Sequence, residues 1–538
     1  MVPTNETPEA LTALFRRGEI YADSWPDEVR RRLNVEDPLA DLLTTALDSS
    51  RHVVLTGNAG DGKSHLAVTA MAAAKRKNTL EPESAVVPRV RAGDRVFIRD
   101  AAAVSDEAIL TWTSAALSAG AQLVITLNEG PLASLAALEP DGVYARLRDV
   151  AHARARGDEA SDPEGFLLIN LAGRQLVHGE FIAKALDRLL PAVVACDGCR
   201  DATTCPRTVG RDLLLESSTA PARLTQLLRL LAHSGTRMTA RDLWMFLVDL
   251  FFGWECPPGA GDIDRLPGWW WSRAFSEENW LGKAISREFD PVNAAEGSVD
   301  VQLWLGDAVG AEVPPAALLV APFRQQAEDP GEALRAFIAA KRAWFFLSPY
   351  VDATALVARQ SRIPEYMRLL EAACEDPLTA ARRVVGLINM YRLNDKDDRR
   401  LYLSQHHVLT AVERPRVLAA SQTYNSDAVR VRVPYASEDH GVNGAGFVPA
   451  RLELGWPEQL GNVLVVDYPM WLQLQEQRTI HADRRQEALD AALDLFIGSA
   501  PATPDGDPQI SVYDHQTGIK TRITAFSGKH PAFEVNRW

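Results

Sequence analysis

Gly57-Asn58-Ala59-Gly60-Asp61-Gly62-Lys63-Ser64 satisfies G-x-x-x-x-G-K-[ST] at every fixed position, and the chemistry of that spacing is phosphate capture. Glycines let the backbone curl until its N–H groups point inward at an anion, and the following helix adds the positive end of its dipole. Lys63 is then placed to reach the β/γ-phosphates and Ser64 to hold Mg²⁺, so residues 57–65, His65 included, form a candidate ATP cradle. The alternative is a Gly-rich strand-to-helix turn that binds nothing. Context favours the cradle: Val53-Val54-Leu55 reads as a buried strand before it, and Leu66-Ala67-Val68 with Ala70, Met71 and Ala72 as a helix of good formers after it.

Turnover needs more than a cradle: a carboxylate near Mg²⁺ and a group that orients water. Two apolar runs end in such groups. VFIRD ends in Asp100, in the form of a Walker B strand, and LVITLNEG ends in Asn128-Glu129, which resembles the sensor-1 strand of AAA-type ATPases. Under that assignment GFLLINLAG is the last strand, and Arg146 or Arg148 lies where an arginine finger would be. A second assignment makes LVITLNE the Walker B strand, with Glu129 as base and Asn170 as sensor. Both put Glu129 at the carboxyl end of a strand beside the loop, where open parallel sheets bind ligands. Arg237 and Arg241, in SGTRMTARDLW, open a later helix, and Arg241 is the candidate for an AAA-type sensor-2 contact to the γ-phosphate.

A third group of reactive residues is Cys196-x2-Cys199-x5-Cys205, with Cys256 following in a Pro-rich loop. A C-x2-C turn offers two thiolates to one metal. Cys205 and Cys256, with His178 or His233 as substitutes for the last, would close a tetrahedral, structural Zn²⁺ site. A loop of reduced cysteines is the alternative. Cys374, on an apolar helical segment, reads as a buried small hydrophobe.

The elements that must hold these groups follow from the apolar pattern. Residues 1–50 form a helical lead-in. Residues 51–195 alternate strands (95–100, 122–130, 165–174) with helices (106–117, 131–138), the mark of a parallel α/β sheet. Residues 196–400 hold the cysteine knuckle, a helical lid and a further helical region. Residues 401–538 turn to alternating patterns such as VRVRVPY and ISVYDHQTGIKTRIT, a β-rich C-terminal domain with a hairpin around Thr517-Gly518. The predicted class is α/β, a P-loop, AAA-like core with a helical lid and a β-rich end. Trp269-Trp270-Trp271, Trp280, Trp304 and Trp344 have only Arg265 and Arg273 near the Trp run, which favours packing or a protein interface over base stacking.

Bulk properties exclude some classes. The 538 residues carry 57 Lys+Arg against 71 Asp+Glu, a net charge of −14, so a wholly basic nucleic-acid coat is ruled out. The N-terminus lacks the basic-apolar-small order of a secretion signal, and LWMFLVDLFFGW at 243–254 is too short to span a bilayer and carries Asp249. A cytoplasmic, soluble protein without membrane contact is expected.

Together, GNAGDGKSH (57–65), LNEG (127–130), the C-x2-C-x5-C-P knuckle (196–206), TARDLW (239–244), REFDP (287–291), KR…FF (341–346) and GLIN (386–389) resemble the DptF-type ATPases of bacterial phosphorothioation-dependent DNA restriction. The resemblance covers most of the chain and implies an ATPase within a multi-protein antiphage complex. It would work beside other subunits of that restriction complex, reach DNA through them, and leave room for a homo-oligomer. A strict Asp-Glu Walker B pair is missing, which keeps open a nucleotide-binding regulatory or scaffold protein with slow hydrolysis.

Overall fold

A computed structural model of the chain describes residues 34–74, 89–92, 95–98, 104–155, 160–194, 205–257, 264–305, 329–358, 361–393, 396–404, 417–434, 447–457, 459–476, 484–501, 509–514, 520–526 and 532–537. It divides into two units, one of residues 1–232, 236–361 and 438–448, the other of 233–235, 362–437 and 449–538.

In the first unit the apolar runs become a sheet. β1 (His52–Thr56), β3 (Arg95–Ile98), β4 (Gln122–Thr126) and β5 (Phe166–Asn170) run parallel, and β2 (Arg89–Ala92) closes one edge antiparallel to β3. The order is β2-β3-β4-β1-β5. β2 lies where the sequence pattern breaks, because Arg-Val-Arg-Ala is too short and polar to read as a buried strand. β1 sits between β4 and β5, with Leu55 opposite Thr126 on one side and Ile169 on the other. Since the strands are parallel, the carboxyl ends of β4 and β5 finish on either side of the residue that starts the glycine loop.

Alternation along each strand divides the core into two layers. Val53, Leu55, Phe97, Val124, Leu167 and Ile169 face one side, where α1 (Pro38–Asp48) and α2 (Lys63–Ala74) cover them with Leu39, Leu43, Leu47 and Leu66. Val54, Val96, Ile98, Leu123, Ile125 and Leu168 face the other. There α3 (Asp106–Ser118), α4 (Glu129–Leu138) and α5 (Val143–Ala155) supply Ile109, Leu132, Leu135, Tyr144 and Leu147. Each such side chain taken out of water contributes about 1.5–3 kcal/mol, so the sheet is a rigid platform for whatever its loops carry. Asp37 caps α1 through the Leu39 amide (2.9 Å) and also takes Arg174 (2.7 and 2.8 Å), which ties that helix to the chain leaving β5.

After β5 the unit is helical: α6 (Phe181–Leu189), α7 (Pro206–Glu216), α8 (Ala220–His233), α9 (Ala240–Phe252) and further helices that include 280–289, 297–305 and 330–347. The tryptophan run is core. Trp269, Trp270 and Trp271 are buried, Trp270 packs on Phe346 (4.8 Å between ring centres), and its Nε1 donates to the Gly210 carbonyl (3.0 Å). A Cβ on Gly210 would come within 3.1 Å of that indole. Asp249, the charge in the apolar 243–254 stretch, is answered by Arg273 at 2.7 Å.

The second unit carries a three-stranded antiparallel sheet (430–432, 452–456, 459–466) and a five-stranded one (400–404, 417–425, 509–514, 520–526, 532–537). Strands 509–514 and 520–526 pair antiparallel as expected for a hairpin; Thr517-Gly518 lies outside the described residues. Apart from residues 233–235, this unit runs from Arg362, ahead of the change of texture near 400, and helices 363–375 and 377–393 belong to it with the strands. Tyr366 donates to the Val466 carbonyl (2.8 Å), burial pushes its phenol well above the usual range, and Asn389 of GLIN bonds the carbonyls of Asp397 and Arg400. Cys374 is a correction. It is exposed, because the buried stripe of its helix runs through Ile363, Tyr366, Leu369, Leu370 and Ala373, leaving position 374 on the outer face.

The architecture is therefore α/β, with a parallel four-stranded sheet between helices and a separate antiparallel β-rich region. Among the described residues no helix is long and apolar enough to cross a membrane.

Candidate functional site

β1 ends at Thr56 and α2 starts at Lys63, so residues 57–62 of the motif are the strand-to-helix loop and Lys63-Ser64 open the helix. Three of its glycines adopt positive φ: Gly57 (142°), Gly60 (88°) and Gly62 (91°). Side chains at those positions would be strained, and at Gly60 a Cβ would also lie 2.9 Å from the Thr239 hydroxyl. The glycines are thus required by the turn. Asn58 and Ala59 are exposed at its crest, and Ser64 and His65 occupy the first turn of α2.

The polar groups of the loop are engaged with one another. The Lys63 ammonium donates to the carbonyls of Gly57 (3.0 Å) and Asn58 (2.7 Å), so its charge lies across the loop it would serve. Asp61 is buried; its carboxylate accepts the Asn58 N–H (2.6 Å) and both its oxygens accept from Arg237 Nη2 (2.9 and 2.7 Å). Sequence reasoning places Asp61 among the nucleotide-contacting positions, whereas its side chain is turned onto Arg237. Arg241, the sensor-2 candidate, is the second residue of α9, with its Cβ 3.4 Å from a Cβ built on Gly60. α9 itself begins with a capping box in which Thr239 accepts from the Asp242 amide and Asp242 accepts from the Thr239 amide. Residues 237–241 therefore lie against residues 58–61.

Glu129 is the first residue of α4, three positions beyond the end of β4, and is exposed. Asn170, the last residue of β5, donates from Nδ2 to Glu129 Oε1 (3.1 Å) while its Oδ1 accepts the Ala172 amide (2.8 Å). The segments that leave the two strands flanking β1 thus share one hydrogen bond, and the two residues that the second assignment names base and sensor meet. Asn128 takes the N-cap position of α4 without a side-chain cap bond. Asp100 lies outside the described residues, two positions beyond the end of β3. Arg146 and Arg148 are on α5, Arg146 exposed and Arg148 paired with Asp149 (2.7 Å).

Of the four cysteines, Cys196 and Cys199 lie outside the described residues. Cys205, buried at the N-cap of α7, and Cys256, exposed after α9, line one recess together with Phe251, Trp254, Arg207 and Arg265. The described residues contain no cluster of three His, Cys, Asp or Glu side chains arranged to hold a metal.

Two of the family-like motifs have structural work. Asp290 of REFDP pairs with Arg342 of KR…FF, and the neighbouring Lys341, buried, reaches Asp300 at 2.7 Å. The contact that sequence reasoning missed is Arg237–Asp61; its one signal was an arginine three residues before the start of α9. Comparisons with protein families, with curated proteins and with solved structures found no match.

Proposed function

We propose that this protein binds ATP with Mg²⁺ at residues 57–65 and hydrolyses it. The observation that carries the reading is the loop: three positive-φ glycines between a central parallel strand and a helix that opens with Lys63-Ser64. Such a loop turns main-chain N–H groups toward one point and has a lysine in reach of it. In the bound state Lys63 would exchange two carbonyls for phosphate oxygens, a stronger, charge-assisted partnership. Ser64 and Asp100 would hold Mg²⁺, Glu129 would orient or deprotonate water, and Asn128 and Arg241 would border the γ-phosphate. The Asn170–Glu129 bond supports the role of Glu129, since it fixes a carboxylate at the strand edge beside the loop.

A structural Zn²⁺ on Cys196, Cys199, Cys205 and Cys256 belongs to the same proposal. What supports it is that Cys205 and Cys256, 51 positions apart, open into one recess. Four thiolates around Zn²⁺ leave two net negative charges, and Arg207 and Arg265 beside the recess are suited to offset them. Purified protein should carry about one Zn²⁺ per chain by elemental analysis; metal-free, stable protein prepared without chelator would remove this part. Work within a DNA restriction complex rests on the resemblance alone.

The test of the enzymatic reading is turnover and binding measured together. Glu129→Gln should lower ATP hydrolysis by about 10²-fold or more while ATP still binds, and DNA or partner subunits should raise wild-type turnover. Normal hydrolysis by Glu129→Gln would make Glu129 an ordinary surface acid. Undetectable wild-type turnover with tight binding would favour the regulatory, slow-hydrolysis alternative.

A further inference from the structure

We propose that Arg237 and Asp61 form a clasp that holds the loop in shape for phosphate and passes its occupancy to α9, Arg237 acting as a positioning residue and not as a phosphate ligand. The inference rests on the nucleotide reading above. Asp61 stands between two positive-φ glycines, and its Oδ2 lies 2.7 Å from where a Cβ on Gly57 would be. The carboxylate therefore folds back across the loop, joining its start to its end through the Asn58 N–H. Its side chain is only 6% exposed, and a carboxylate so shielded needs a cation. Arg237 supplies it, with one nitrogen on both oxygens. With its amide turned so that the oxygen faces the guanidinium, Asn58 also accepts from Arg237 Nη1 and, at 3.0 Å, from Nη2.

Asn58 is consequently shared by every charged group of the loop. Its carbonyl receives Lys63, its N–H goes to Asp61, and its side chain meets Arg237. A phosphate that draws Lys63 away from that carbonyl alters the residue on which both members of the clasp depend. On the far side, Arg237 is two residues from Thr239, which lies against Gly60 and caps α9. The path from phosphate to helix thus has named links: Lys63, Asn58, Asp61–Arg237, Thr239.

The test uses the 538-residue chain as wild type, Asp61→Asn, Arg237→Gln, Arg237→Lys and the double Asp61→Asn/Arg237→Gln. Each of Asp61→Asn and Arg237→Gln should weaken ATP and ADP alike by about tenfold, with the double variant no worse than either, because removing one partner already opens the clasp. Arg237→Lys should recover part of the loss. Hydrogen exchange should show protection of 240–252 on adding Mg·ATP in the wild type and none in Arg237→Gln saturated with nucleotide. Loss of ATP but not ADP affinity in Arg237→Gln, or effects that multiply in the double variant, would make Arg237 a phosphate ligand and overturn the clasp. If the wild type binds no nucleotide, the nucleotide reading and the relay to α9 both fall. Exchange of amides 57–62 without nucleotide still judges the clasp itself: faster in Arg237→Gln supports it, unchanged overturns it.

Discussion

The glycine loop and the tryptophan run are equally conspicuous in the sequence and opposite in structure. Trp269–Trp271 lie at 0–2% exposure, wedged between Gly210 and Phe346, and make few polar contacts. The loop at 57–65 is half exposed, holds three residues in positive-φ conformations, and keeps its charged side chains on its own carbonyls and on Arg237. One region is occupied by its own side chains. The other is a turn that only glycines can make, with charged side chains resting on main-chain carbonyls and on a neighbouring arginine. Conspicuous composition marks a site only where the backbone and the polar groups converge on a place a ligand can reach.

Substitutions should separate the two regions. The largest stability effect belongs to the aromatic region: Trp270→Ala should cost about 3–5 kcal/mol, read as a fall in the denaturation midpoint, while the folded fraction keeps its ATP affinity. A melt like that of the wild type would show that the indole is not a core element. Next comes Gly60→Ala, which meets both a positive φ and the Thr239 hydroxyl. It should cost about 1–3 kcal/mol of backbone strain and weaken nucleotide binding, read by calorimetry; Gly62→Ala, where nothing crowds the added Cβ, should disturb the contact with Thr239 less. The smallest effect lies at the opposite end of β1. Burial lowers the His52 pKa from 6.5, and its Nδ1 accepts the Leu123 amide (3.0 Å). The neutral ring is the folded form, so its contribution is complete above pH 6.5 and is lost as pH falls below it through the lowered value. Melting temperatures should drop from pH 7 to pH 5 by more in the wild type than in His52→Asn; equal drops would remove the histidine from the account.

The sheet was legible because buried parallel strands are continuous apolar runs: VVLT, RVFI, QLVIT and FLLIN all became strands of the first unit. β2 was not, since an edge strand of four residues with two arginines carries no such signal. The backbone of the loop was legible as a glycine turn between strand and helix, because its glycines are dictated by backbone geometry. Its partner was less so. Arg237–Asp61 joins positions 176 apart, and long-range ion pairs leave no periodicity to read. The same limit applies to Asn170, whose bond to Glu129 depends on β4 and β5 both flanking β1. Cys374 misled for a different reason. An apolar helix does not say which face a residue occupies until its stripe is placed.

The central claim, that residues 57–65 bind nucleotide phosphates, is tested most directly by titrating Mg·ATP into the 538-residue protein and its Lys63→Ala variant in a calorimeter. The wild type should bind one ATP per chain. Lys63→Ala, with an unchanged melting curve, should lose at least 100-fold in affinity, because a charge-assisted contact to the β/γ-phosphates has no substitute in the loop. Equal affinities in two folded proteins would contradict the account.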